Sequence, residues 1–323
     1  MADRPRTILS ILDLTAPKHY EFLDVLASTQ TAVEVRIFST SGTPEQRLLA
    51  VADRPSVVTP LSEPDELSQS RVVVTCSHPT PPWDRLLMDW LENHPETRWL
   101  DLSRPAVAGT AGTPVMQSHR ALPEQRSWLH LPDPSLAGPL TVVGLLSELE
   151  PVEVEITAFQ PCSDFGDEGL QELAAQARAR LTGAKPSPGA VLQSVLAFDL
   201  APSLPTISGE LERQSGSLFP SLAARIRMVR SGVFFAHTCW MMIQCRKPLR
   251  ANQVRELLGK GPNVRITRDP SKARPSVVVD HPGLTVFAPK IVGNRLDLWV
   301  AADGDMILGP RMVAETLGNL ISG

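Results

Sequence analysis

The sequence lacks the features that mark membrane-spanning, secreted and nucleic-acid-binding proteins. Its 323 residues contain no run of 18 apolar residues, so no transmembrane helix is expected. The N-terminus has neither the apolar core nor the cleavage site of a signal peptide. One tyrosine and nine phenylalanines offer few stacking surfaces for bases, and a net charge of −4 shows no basic excess. These absences predict a cytoplasmic protein that binds neither membranes nor nucleic acid.

Cysteine is scarce as well. The four cysteines lie at positions 76, 162, 239 and 245, with no CxxC pair and no zinc-knuckle spacing, so no metal site is expected. We expect all four to be reduced, buried thiols, which is the usual state of free cysteine in the cytoplasm. The hydrophobic content of 42 % is enough for full-sized cores, and the length suits two domains.

The first third of the chain alternates between strand-like and helical patterns. Strands are predicted over 7–14, 32–39, 71–76 and 97–102, and helices over 20–27 and 83–93. The run RVVVTC at 71–76 is typical of a strand that is buried on both faces. This β-α-β rhythm predicts a parallel sheet with helices on both sides, as in doubly wound nucleotide-binding folds. Residues 103–139 are rich in proline, glycine and alanine and are predicted to be loops.

The second half has a different pattern. A strictly alternating strand is predicted over 152–159, with further strands over 224–235, 238–245, 284–286 and 295–301. Helices are predicted over 167–181, 251–258 and 310–321, and prolines suggest loops through 182–220. Long strands with helices on one side predict an α+β domain around an open, largely antiparallel sheet.

Four segments, in order, resemble aspartate-semialdehyde dehydrogenases. The stretch ITAFQPCSDFGDEGLQELAAQARARLTG resembles the family pattern YQAVSGAGxxGxxEL, and RSGVFFAH at 230–237 resembles RVPVxxxH. KPLRANQVRELL at 247–258 resembles KPVSxEEARELL, and 296–321 is similar to the family's C-terminal segment. The resemblance is good from 152 to 321 and weak from 1 to 130. It implies a dinucleotide-binding, Rossmann-like domain made of 1–133 and 303–323, and a dimerisation domain made of 134–302.

The resemblance also implies roles for individual residues. In the family a cysteine attacks the aldehyde, a histidine acts as acid and base, and an arginine holds the substrate carboxylate. Gln160 and His237 match catalytic positions, and Arg230 matches the substrate-binding arginine. His237 lies seven positions after Arg230, an odd offset that would put the two side chains on opposite faces of a straight strand. We therefore expect the chain to bend between Gly232 and His237 if both serve one site; otherwise they are locally satisfied polar residues.

The chain departs from the family at the nucleophile. Where the family has NPNCST, residues 129–140 read LHLPDPSLAGPL, and Pro134 or Ser135 occupies the cysteine position. Proline has no nucleophilic atom, and a serine hydroxyl needs an adjacent base. Cys162 is the nearest cysteine in sequence and is a candidate for a relocated nucleophile, although a packing role is the expected alternative.

The cofactor loop departs as well. A dinucleotide-binding fold needs glycines after its first strand, so that the backbone can approach the pyrophosphate. Residues 13–22 read DLTAPKHYEF, without glycine. Thr15 and Lys18 would crowd the phosphate site, and Asp13 adds a charge of the same sign as the phosphate. We expect no cofactor, and NADP only if the chain is an active enzyme.

These departures place the chain closest to the cysteine-less Usg-type branch of the family, whose PNSL is similar to PDPSL at 132–136. Because nucleophile and glycine loop are lost together, we expect a non-catalytic homologue that acts as a dimeric interaction or regulatory protein. The alternative is an active NAD(P)-dependent semialdehyde dehydrogenase of amino-acid biosynthesis with an altered nucleophile. The expected partner is a second copy; a catalytic paralogue is another candidate, and dimer and tetramer both stay open.

Overall fold

The computed structural model describes residues 7–14, 21–29, 33–41, 48–51, 54–103, 113–114, 128–261, 263–281 and 283–322. The elements of the first part are β1 (Thr7–Leu12), α1 (Glu21–Thr29), β2 (Val33–Ser39), β3 (Leu48–Val51), β4 (Arg54–Pro60), β5 (Val72–Thr75), α2 (Trp83–Asn93), β6 (Arg98–Asp101), β7 (Thr113–Pro114) and β8 (Trp128–His130).

The elements that follow are α3 (Pro134–Leu145), β9 (Pro151–Gln160), α4 (Gly166–Leu181), β10 (Leu200–Pro202), α5 (Pro205–Leu218), β11 (Ala223–Ser231), β12 (His237–Cys245), α6 (Ala251–Gly259), β13 (Val264–Thr267), α7 (Pro275–Val278), β14 (Leu284–Val292), β15 (Arg295–Ala302), α8 (Gly304–Ile307) and α9 (Pro310–Ser322). A short 3-10 turn, Cys162–Phe165, lies between β9 and α4. No helix among the described residues is both long and apolar enough to span a bilayer.

The chain divides into two compact units, 1–132 with 308–323, and 133–307. The sheet of the first unit has the strand order β3-β4-β2-β1-β5-β6-β8-β7 and is parallel except for the β3–β4 pair. Val72, Val73 and Val74 of β5 are fully buried, as expected for a strand covered on both faces. Helices α1 and α9 pack on one face and α2 on the other, which confirms the predicted doubly wound arrangement.

The second unit is built on a mixed sheet with the order β10-β11-β9-β12-β15-β14-β13. Its neighbours pair antiparallel except β11–β9 and β14–β13, so the predicted open, largely antiparallel sheet is confirmed. In β9, Val154, Ile156 and Ala158 are buried beneath α3, while the residues between them are only half-buried. This alternation is what the sequence VEVEITAF predicts.

Three sequence-based expectations were wrong. Within 103–139, which were predicted to be loops, residues 128–130 form β8 and residues 134–139 begin α3. Within the second predicted loop segment, 182–220, residues 205–218 form α5. The strand predicted over 224–235 ends at Ser231. The prolines of α3 misled the sequence analysis: Pro134 occupies the first helical position, where its missing N–H costs no hydrogen bond. The helix is apolar around its whole circumference because it is buried on every side.

Candidate functional site

The sheet of the second unit places three predicted site residues, Arg230, Gln160 and His237, side by side on neighbouring strands. These three positions form one row across the sheet. Arg230 on β11 pairs with Gln160 on β9, and Thr238 on β12 pairs with Phe159. The antiparallel β12–β9 register therefore places His237 beside Gln160, at the end of β9. Two strand spacings, about 10 Å, separate the backbones of Arg230 and His237. Paired residues share a sheet face, so all three side chains start from the face that carries α3.

The chain leaves strand geometry between Gly232 and His237, as predicted. Strand β11 ends at Ser231 and β12 begins at His237, with the connecting residue Ala236 in the left-handed region at φ 67°. A side chain at Gly232 would meet the carbonyl oxygen of Leu196 at 2.1 Å, so this position requires glycine. The bend puts Arg230 and His237 on different strands and resolves the problem of their odd spacing.

His237 is held by a carboxylate that the sequence analysis missed. Its Nε2 lies 3.1 Å from both carboxylate oxygens of Asp164, and the two side chains are only 6 % and 9 % exposed. Burial is the largest single influence on the pKa of His237 and lowers it. The charge of Asp164 and its hydrogen bond, with the charges of Asp133 and Asp305, outweigh that effect and raise the pKa above its ordinary value of 6.5.

Arg230 has different partners. Its Nη2 donates to the carbonyl oxygen of Leu192, and its Cζ lies 4.9 Å from the ring centroid of Phe165. Its Nε is buried and makes no hydrogen bond to any described residue. The Nδ1 atom of His237 and the Oε1 atom of Gln160 are also buried and also make no hydrogen bond to a described residue. Buried polar atoms are normally hydrogen-bonded, so this row of the sheet has unused donors and acceptors.

The carbonyl of Leu192 is itself fixed by α4, through residues whose role the sequence did not reveal. The carboxylate of Glu172 accepts the N–H groups of Val191 and Leu192 at 2.9 and 2.8 Å. A Cβ atom at Gly189 would lie 1.9 Å from that carboxylate, so position 189 requires glycine for the loop to approach Glu172 this closely. The loop therefore sets the position of Arg230's hydrogen-bond acceptor.

At the start of α3 lie the two residues that match the family's cysteine position. Pro134 is the first residue of the helix, and Asp133 caps it. Asp133 accepts the N–H of Ser135 at 2.9 Å and its hydroxyl at 2.5 Å. The Ser135 hydroxyl thus completes a helix cap. Ser135 is only 2 % exposed, so its side chain is not presented to solvent.

The cysteines are all free and buried, as predicted. Cys162 is fully buried in a cluster with Leu173, Leu192 and Leu196, and its thiol donates to the carbonyl of Ser231 at 3.5 Å. Burial raises the pKa of Cys162 to about 11, although the nearby Arg230 opposes the shift. A nucleophile needs an accessible thiolate, so the burial of Cys162 favours a packing role over a relocated nucleophile.

The C-terminal ends of the first unit's strands, where this fold type places a dinucleotide, are acidic. Asp13 ends the first strand segment at φ 54° and accepts the N–H and hydroxyl of Thr40 at 2.8 and 2.7 Å. Burial raises the pKa of Asp13 despite these bonds. Asp101, fully buried, ends β6. The predicted obstructing residues Thr15 and Lys18 lie outside the described residues.

No cluster of three or more histidine, cysteine or acidic side chains is placed to hold a metal ion in the described ranges.

The site residues that the sequence missed are Asp164 and Glu172. The sequence could have indicated Asp164, because the family pattern YQAVSGAGxxGxxEL has a glycine at this position and an aspartate there is a departure from it. Glu172 matched the pattern, but nothing in the sequence indicated which backbone groups it would bind.

Comparisons with known proteins agree with this architecture. Residues 142–304 match the family model described as semialdehyde dehydrogenase, dimerisation domain. No curated protein matches the chain. The structure resembles aspartate semialdehyde dehydrogenase II from Vibrio cholerae, complexed with ASA, at TM-score 0.76 and 18 % identity, covering 98 % of both chains.

Two further structures resemble the chain over 98 % of both chains. A probable aspartate-semialdehyde dehydrogenase from Pseudomonas aeruginosa matches at TM-score 0.77 and 17 % identity. The Candida albicans enzyme, solved with NADP, matches at TM-score 0.66 and 11 % identity. At such identities the structures establish the fold, and the family model establishes the relationship. With its two-unit fold and its dimerisation domain, the chain belongs to the semialdehyde dehydrogenase family.

Proposed function

We propose that this chain is a non-catalytic, cytoplasmic member of its family. It acts as a dimeric interaction or regulatory protein and binds a small carboxylate at Arg230 and His237. The observation that carries the proposal is that Pro134 and Ser135, the two residues at which the resemblance places the nucleophilic cysteine, open α3. Such a position at a helix N-terminus lowers a thiol pKa, but proline has no atom to use that advantage.

The remaining thiols and hydroxyls support this proposal. All four cysteines are buried, and burial raises the pKa of Cys162, Cys239 and Cys245 to about 11, 12 and 11. Ser135 donates to Asp133, which is already engaged as a helix cap. The alternative, an active oxidoreductase with NADP and an altered nucleophile, would need Ser135 to gain a base. The hydrogen-bond partner of the Ser135 hydroxyl is Asp133, which is committed to the helix cap.

Arg230 supports the choice of ligand. No ion pair joins this partly buried guanidinium to a carboxylate within the described part of the chain, and its Nε is buried without a partner. A buried cation is stable when an anion accompanies it. His237 Nδ1 is a second unused nitrogen in the same row. A carboxylate that bound above Gln160 would use both nitrogens.

The dimer is proposed from the open face of the second unit's sheet. Trp240 is 50 % exposed at the centre of this face, flanked by Thr157 on β9 and Trp299 on β15. The surrounding Phe159, Met242 and Val229 are half-buried. These side chains form an apolar area beside the ion pairs of Arg225 with Glu153 and Glu155, and an exposed apolar area indicates a protein interface. A second copy is the proposed occupant; a catalytic paralogue with the same type of domain is the other candidate.

One experiment separates the two readings. The purified protein is mixed with NADP, aspartate semialdehyde and phosphate, and formation of reduced nicotinamide is followed by absorbance. The proposal expects no turnover, whereas an active aspartate-semialdehyde dehydrogenase, run in parallel, gives a steady increase. Titration calorimetry with NADP alone is expected to show no tight binding. Turnover, or a dissociation constant in the low micromolar range, would reject the non-catalytic proposal.

A further inference from the structure

Asp164 and His237 form a buried pair whose geometry has a consequence for ligand binding. Both oxygens of Asp164 lie 3.1 Å from Nε2, so this nitrogen must carry a proton to make the hydrogen bond. The opposite nitrogen, Nδ1, is buried and makes no hydrogen bond to a described residue. What the histidine offers to a ligand therefore depends on whether Nδ1 carries a proton.

The two charge states of His237 would select different ligands. If the ring is neutral, its single proton is on Nε2, and Nδ1 offers a lone pair to a hydrogen-bond donor. If the ring is charged, both nitrogens carry protons, and Nδ1 offers an N–H to an acceptor such as a carboxylate. An imidazolium bonded on one side to a carboxylate is also held in a fixed orientation, as in other histidine–carboxylate pairs.

The charged groups around His237 favour the imidazolium. Carboxyl groups from three parts of the second unit act on it electrostatically: Asp164 in the turn after β9, Asp133 before α3, and Asp303 and Asp305 after β15. The cation in the same row of the sheet is Arg230. Of the four carboxylates, Asp164 alone makes a hydrogen bond to the ring.

We propose that Asp164 is a positioning residue which keeps His237 a two-donor cation, so that Nδ1–H and the Nε–H of Arg230 together select a small carboxylate. The inference rests on the proposed function, because it concerns the same anion site. It adds the residue that determines the ligand's chemistry: neutral ligands, and ligands that donate a hydrogen bond to Nδ1, are rejected. Asp164 itself does not touch the ligand.

The test uses the full-length protein with nitrogen-15-labelled histidine, and acetate as the probe. Nitrogen chemical shifts report directly which ring nitrogens carry a proton. The variant Asp164→Asn keeps the shape of the side chain and an acceptor for Nε2 but removes the charge. The matched control Asp133→Asn removes a carboxylate that acts on His237 only through space, and asparagine caps a helix as well as aspartate does. Arg230→Met tests the anion site itself.

At pH 6 we expect the wild-type ring to carry protons on both nitrogens, and the Asp164→Asn ring to be neutral with its proton on Nε2. Acetate should bind Asp164→Asn about tenfold to a hundredfold more weakly, because a charge-assisted hydrogen bond is lost. Asp133→Asn should change the affinity less than about threefold. In the wild type, acetate affinity should fall as pH rises through the pKa of His237, a measurement that needs no variant.

Two results would overturn the proposal, and they are distinguishable. If acetate binds and Arg230→Met abolishes binding, but Asp164→Asn binds as well as wild type or the wild-type ring is neutral, the anion site stands and the role of Asp164 is rejected. If acetate does not perturb the wild-type His237 signals at any pH, the proposed anion site fails, and the role of Asp164 fails with it.

Discussion

Gln176 on α4 accepts the backbone N–H of Leu196 at 2.8 Å and so ties the helix to the loop that follows it. The same amide donates to the carbonyl of Ser194 at 2.9 Å. Glu172, one turn earlier, holds Val191 and Leu192 of the same loop. One face of α4 therefore fixes a loop without regular structure, and the carbonyl of Leu192 in that loop accepts a hydrogen bond from Arg230.

Replacement of Gln176 by alanine is expected to destabilise the protein by about 2–4 kcal/mol, because it leaves buried backbone groups without partners. Gln176 is 3 % exposed, so water cannot easily replace it. Urea unfolding measures the change. Gln171→Ala, on the exposed side of the same helix, is the matched control and should stay within about 0.5 kcal/mol of wild type. Equal effects of the two substitutions would reject this role for Gln176.

The loop shows how far the sequence can predict this protein. Periodicity predicts α4 and β9 because their patterns follow one face of one element. The bonds of Glu172 and Gln176 to residues about 20 positions away depend on the path of a loop that no period describes. In the same way, the motif resemblance selected Gln160, Arg230 and His237 as candidate site residues. Their placement in one row required the register of β9, β11 and β12, which the sequence does not specify.

The helix α3 shows a different failure. Its sequence PSLAGPLTVVGL contains two prolines and two glycines, which usually indicate a loop. Pro134 is compatible with the first turn, and Gly138 is required because a side chain there would contact Ala302 at 2.9 Å. Composition alone misleads here because Pro134 suits the first turn of a helix, and because the need for Gly138 arises from tertiary packing.

Restoration of the cysteine alone should not restore catalysis. Pro134→Cys places a thiol at the first position of α3, where the helix N-terminus lowers its pKa but the charge of the neighbouring Asp133 carboxylate raises it. We expect a loss of stability of about 0.4–1 kcal/mol from the replaced proline, and no NADP-dependent turnover of aspartate semialdehyde. Iodoacetamide labelling reports the thiolate, with Pro205→Cys at the exposed start of α5 as the reference. Formation of NADPH by Pro134→Cys would show that nucleophile loss is the only defect.

The His237–Asp164 pair should make stability depend on pH in one direction. The pKa of His237 is raised in the folded protein, so its stabilising effect is fully present below its unfolded pKa of about 6.5. That effect is lost as pH rises through the folded pKa. Near pH 6, His237→Gln should destabilise the protein by about 3–5 kcal/mol, the usual cost of breaking a buried pair. Urea unfolding from pH 6 to pH 9 should show this difference shrinking; a difference that grows with pH would contradict the raised pKa.

The open face of the second unit's sheet gives the most direct test of the dimer. Trp240 is 50 % exposed at its centre, so Trp240→Glu leaves the folded monomer intact while it places a charge inside the proposed interface. Light scattering at micromolar concentration should report a dimer for wild type and a monomer for the variant. Leu181→Glu, at a position that is 77 % exposed at the end of α4 and not on the sheet, introduces the same charge as a control. It should remain dimeric. A monomeric wild type, or a Trp240→Glu variant that is still dimeric, would exclude this face as the interface between copies.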